Sequence, residues 1–160
     1  MKFRLVTALL TFGFASLTGF AAEKKPGPPS PSPSGQISNA PEWDKLFRGV
    51  ALPAVWQSAQ GALAKIDAAL HTKSWPDIAE QAEKIHLAAH ALDDQVKLGD
   101  IERQKRLRGA LSQAAKIADD VIDAAEHKEP EKLAEALRRL NAAIRLAAMR
   151  LPKEITDAPK

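Results

Sequence analysis

From Pro41 onward, apolar residues recur every three or four positions, the spacing that keeps them on one side of a helix. Pro53 suits the first turn of one such helix, with Leu52, Trp56, Ala59, Leu63, Ile66 and Leu70 on its seam. The next opens with Ser74-Trp75-Pro76-Asp77, a Ser cap with an acid three residues on. Trp75, Ile78, Ala82, Ile85, Ala89, Leu92 and Val96 form its seam, and Gly99 ends it. A third helix runs from Asp100 to about His127 through Leu107, Leu111, Ala114, Ala118, Val121 and Ala125. The fourth has Pro130 in its first turn, Leu133, Leu137, Leu140, Ile144, Ala147 and Leu151 on its seam, and Pro152 as its stop. Ahead of them, residues 41–52 form a helical lead-in whose Trp43, Leu46, Phe47 and Val50 share a side. Short connections between four long helices predict an all-α fold: an antiparallel up-down-up-down four-helix bundle over residues 53–151, with a C-terminal tail over 152–160.

The two halves of this body resemble each other. Ile66-Asp67-Ala68-Ala69-Leu70-His71 matches Ile122-Asp123-Ala124-Ala125-Glu126-His127 at an offset of 56 residues. Ile78-Ala79-Glu80 then matches Leu133-Ala134-Glu135 at an offset of 55, which a one-residue loop difference would explain. The bundle therefore reads as a duplicated helical hairpin whose copies bury each other's seams. Much of the seam is Ala, which lets helices approach closely or leaves room for a ligand between them.

The N-terminal forty residues follow a different pattern. Lys2 and Arg4, an apolar run from Leu5 to Phe20, and Gly19-Phe20-Ala21 predict a signal peptide over residues 1–21 with cleavage near Ala21. That places the protein in the periplasm or outside the cell, with no membrane span after cleavage, since the run is short of the roughly 20 residues a spanning helix needs. Residues 22–40 contain Pro26, Pro28, Pro29, Pro31 and Pro33 among Gly and Ser, which predicts a disordered tether.

Composition narrows the chemistry. The chain has 160 residues and a formal charge of +3. Losing Lys2 and Arg4 with the leader lowers 23 cations to 21 against 20 acids, leaving +1. So little net charge argues against nucleic acid as a partner. There is no Cys, so disulfides, thiol redox motifs, Cys-ligated zinc and covalently attached haem are excluded. Any metal site is restricted to imidazole and carboxylate.

Two groups of residues fit that restriction. Glu83, His86, His90 and Asp94 follow one stripe of the second helix, and a His pair at i, i+4 suits Zn, Cu or Ni. The alternative is two half-exposed histidines with charged neighbours. A second candidate is His71 and His127 with Asp123 near the hairpin turns, where a helix dipole equally accounts for the histidines. At a rise of about 1.5 Å per residue, His86 stands roughly 18 Å from the turn, so the four histidines cannot form one site. The opposite end carries Lys97, Arg103, Lys105, Arg106, Arg108, Arg145 and Arg150, a surface suited to an anionic partner or a second copy. No catalytic constellation is present: there is no His-Glu-x-x-His, only one Glu-x-x-His, and no Gly-rich phosphate loop.

The segment Glu83-Lys84-Ile85-His86-Leu87-Ala88-Ala89-His90-Ala91-Leu92, within a hairpin of the form Ile-Asp-Ala-Ala-x-His … Ile-Ala-Glu, resembles small exported bacterial four-helix bundles found near heavy-metal handling systems. More distantly, residues 53–151 are similar to the soluble b-type cytochrome bundle. No Met stands at the start of the first long helix and no His near the end of the fourth, so haem ligation does not carry over. The resemblance implies a non-enzymatic periplasmic protein that binds a divalent transition metal as a buffer or accessory in metal handling. The alternative is a structural or interaction module of the cell envelope, docking an envelope protein or forming a homodimer without metal. A b-type haem-binding electron carrier is the remaining option.

Overall fold

The computed structural model describes residues 41–157, so the signal-peptide and tether expectations lie outside the described residues. Six helices follow one another: α1 (Glu42–Phe47), α2 (Leu52–Thr72), α3 (Trp75–Gln95), α4 (Ile101–Glu126), α5 (Pro130–Arg150) and α6 (Lys153–Thr156). Four are long, and no strand occurs among the described residues. None of the described helices is long and apolar enough to cross a membrane.

Prolines enter α2, α3 and α5 in the first turn, where the missing N–H has no intrahelical partner to lose. Asp100 caps α4 by accepting the Arg103 backbone N–H at 2.7 Å. Ser74 does not cap α3 in that way; its hydroxyl donates to Asp77 Oδ2 at 2.5 Å instead. α3 stops at Gln95, four residues before Gly99, and Gln104 holds the loop that follows. The Gln104 side chain accepts the Leu98 N–H at 2.6 Å and donates to the Val96 carbonyl at 3.0 Å.

The turns α2–α3 and α4–α5 have the same geometry. Lys73 and Lys128 both sit in the left-handed region at φ 54. The Ser74 N–H returns to the Ala69 carbonyl at 3.0 Å, and the Glu129 N–H to the Ala124 carbonyl at 2.9 Å, the long bond that closes a helix C-terminus. These atoms correspond at an offset of 55. The buried positions follow the same offset: Trp56 with Leu111, Ile66 with Val121, Ile78 with Leu133, Ile85 with Leu140, and Val96 with Leu151. The 56-residue match of Ile66 to Ile122 therefore gives way to a single frame, in which Thr72, not His71, stands where His127 stands.

Each long helix packs against its successor. Asp93 pairs with Arg108 and, farther back along α3, His86 meets Asp119 farther on in α4, so these two helices run antiparallel. Along α4 and α5, Asp120 pairs with Arg139 at 3.1 Å, while the earlier Gln113 and Ile117 lie by the later Ala142 and Leu146. α2 and α5 approach each other less closely than either approaches its chain neighbour.

One core cluster joins all six helices. The expected seams of α4 and α5 are buried throughout, and that of α3 from Ile78 onward. In α2 the stripe is rotated: Val55, Ala62 and Ala69 are buried, Leu63 is half-buried, and Leu70 is 37% exposed. In the lead-in, Phe47 of α1 is buried and α1 packs on α3, while Leu46 is 49% exposed. The segment expected to be a tail forms α6, which packs on α2 and buries Ile155. Each such fully buried large apolar side chain contributes about 1.5–3 kcal/mol.

Candidate functional site

His86 and His90 occupy consecutive turns of α3, whose opposite side is held in the core by Ile85, Ala88, Ala89 and Leu92. A helix anchored so firmly on one face fixes the direction of the other. The two imidazole rings lie 4.6 Å apart between centroids, tilted by 57°. His86 is half-buried because α4 closes over it and brings Asp119 within reach. His86 Nδ1 lies 2.7 Å from Asp119 Oδ1. The approach is not aligned as a hydrogen bond, and this nitrogen, shut off from solvent, has no hydrogen-bond partner among the described residues.

His90 is held below the usual imidazole range, first by burial and next by the nearby charge of His86; Asp93 and Asp119 act in the opposite direction. Its neutral form, the form that binds metal, is thereby favoured. Beside the pair, a groove of about 430 Å³ runs between α3 and α4 under the start of α1. Its lining carries the carboxylates of Glu42, Glu80, Glu83, Asp119 and Glu126 around His86.

The four residues of the α3 stripe are not gathered equally. Glu83 and His86 share the groove, His90 adjoins His86, and Asp94 is exposed without a contact to either imidazole. Asp93, one residue earlier, acts on His90 and pairs with Arg108 at 3.1 Å. Among the described residues, no three His, Asp or Glu side chains are grouped as a metal coordination sphere.

The second candidate set is divided. His127 and Asp123 line an open groove of about 650 Å³ between α4 and α5, with Asp120, Glu129, Glu135, Lys132 and Arg139. His127 Nδ1 is 2.8 Å from the Asp123 carbonyl, a helix-terminal contact. His71, exposed on the last turn of α2, does not line that groove.

Asp119 lies on α4, outside the α3 stripe that the sequence singles out. Its partner follows only from the register of α3 against α4, which the Asp93–Arg108 pair also obeys. Met149, the one Met beyond the predicted leader, is 74% exposed. In comparisons with known proteins, no family model, no curated protein and no solved structure matches the chain.

Proposed function

We propose that this chain is a non-enzymatic, exported helical-bundle protein that binds a divalent transition metal on the α3–α4 face, as a buffer or accessory in metal handling. The supporting observation is the pair of adjacent imidazoles, His86 and His90, with Asp119 reaching His86 from the neighbouring helix. Two His and one carboxylate suit Zn, Cu or Ni. In this reading Asp119 replaces Asp94 as the carboxylate donor, and Glu83, which lines the same groove, would swing in as a fourth. Side-chain rotation about α3 must accompany binding, since the donors are not grouped around one point.

In the same reading the leader is removed in the periplasm and the four long helices close as an up-down-up-down bundle, as in the small exported bundles that the sequence resembles. The test is calorimetric titration with Zn²⁺. Wild type binds one ion, His86→Ala/His90→Ala weakens binding by at least about tenfold, and Asp119→Asn has an effect of about the same order. Affinity equal to wild type in the double variant overturns the reading.

A further inference from the structure

A further concavity lies at the turn end of the molecule, on the side of α2 and α5. There the end of α2, the start of α3 and the start of α5 leave a pocket of about 350 Å³. Ile78, Leu133 and Leu137 form its buried wall, and Leu70 and Trp75 stand at its edge, partly exposed. Lys73 is its one charged lining residue. The three largest of the other grooves are edged with carboxylates, whereas no carboxylate lines this one.

The position of Lys73 is set by the fold. Its backbone is held left-handed at φ 54, its N–H bonds to the Leu70 carbonyl at 3.2 Å, and the next N–H bonds to Ala69. Among the described residues the side chain makes no ion pair, although Lys84, Lys132, Arg48, Arg108 and Arg139 all do. An apolar pocket with an unpaired cation at its boundary is complementary to a molecule with an apolar chain and one negative head. The volume falls in the lower part of the range for small-molecule sites, enough for a single alkyl chain of about ten carbons.

We infer that this pocket binds a medium-chain fatty acid, the chain against Trp75, Ile78, Leu133 and Leu137 and the carboxylate toward Lys73. The site is separate from the metal-binding face, and its test needs no metal. Calorimetric titration of the full chain with hexanoate, octanoate and decanoate, below micelle-forming concentrations, gives one saturable site. Affinity rises about three- to fourfold per added methylene, the ratio for burial of one such group. Ala134 lines the same pocket yet is exposed, so Ala134→Phe fills it without touching the core. That variant keeps its helical circular dichroism and loses decanoate binding. Lys73→Gln weakens decanoate about fivefold, the upper value for an exposed ion pair, and leaves decanol unchanged. Absence of saturable decanoate binding overturns the proposal, as does full affinity in Ala134→Phe. Equal affinity for decanol and decanoate, unaffected by Lys73→Gln, overturns the assignment of the carboxylate.

Discussion

The hairpins α2–α3 and α4–α5 share a frame and differ in what they carry on it. At an offset of 55 residues they repeat the left-handed Lys of the turn, the bond that closes it, and the buried positions on both helices. On the outside the correspondence disappears. His86 and His90 stand where the second hairpin has Asn141 and Arg145, and Asn141 spends its amide on the Leu137 carbonyl at 3.1 Å. Lys65 and Lys84 occupy the positions of the Asp120–Arg139 ion pair, and Lys84 turns instead to Glu80 at 2.7 Å. Core positions are constrained by packing density, so a hairpin frame tolerates little change there. Exposed positions cost little to change, so distinct binding chemistry can be set on one hairpin and not on the other.

The largest effect that tests this equivalence is in the core. Ile66→Ala is expected to cost about 2–5 kcal/mol, because the site is fully buried. Ile122, its partner in the 56-residue sequence match, is only partly buried, and Ile122→Ala should cost about 1–2 kcal/mol. Urea denaturation decides between the frames; a larger loss at Ile122 would break the 55-residue correspondence.

Of intermediate size is the response of the two turns. Lys73→Gly and Lys128→Gly each relieve a side chain from the left-handed region, with a gain of about 0.5–1 kcal/mol after the entropy of Gly is deducted. Thermal unfolding should show two nearly equal increases in Tm. A clear gain at one turn with a loss at the other would show that the shared geometry does not carry shared strain.

The smallest effect is the acid response of the first hairpin, since the burial that acts on His90 is only partial. Its folded-state pKa lies below the ordinary value of 6.5, so the folded protein binds fewer protons than the unfolded chain. The contribution is therefore fully present above about pH 6.5 and is lost as pH falls through the folded value. His90→Gln should flatten this part of the stability profile between neutral and mildly acid pH. The corresponding residue of the second hairpin is Arg145, and Arg145→Gln should leave the slope as it is. An unchanged slope in His90→Gln would remove the electrostatic difference between the hairpins.

How much was legible in the sequence varies by element. The seams of α4 and α5 were readable because large Leu, Ile and Val alternate with charged residues, leaving one plausible buried face. α2 is legible only in part: Trp56, Ala59 and Ile66 are buried as expected, while Leu63 and Leu70 lie at the outer edge of the stripe. Its lone cations and acid are few, and the Leu63 and Leu70 side chains outweighed Ala62 and Ala69, which carry little pattern signal but fit a close helix contact. α6 was missed because one Ile among polar residues has no periodicity to show. On the α3–α4 face the His86–His90 spacing is visible in the sequence, whereas the approach of Asp119 to His86 is not.

Local periodicity, first-turn prolines and the absence of Cys determined by themselves that this chain is helical, where its long helices lie, and that any metal must be held by imidazole and carboxylate. Those properties depend on neighbours within one or two turns. Tertiary structure alone decided which acid meets His86, which offset relates the hairpins, and that the gap beside α2 and α5 leaves an apolar pocket with Lys73 at its edge. Each of these depends on how far one helix slides and rotates against another. That is set by the summed packing of many buried side chains, and no short stretch of sequence contains it.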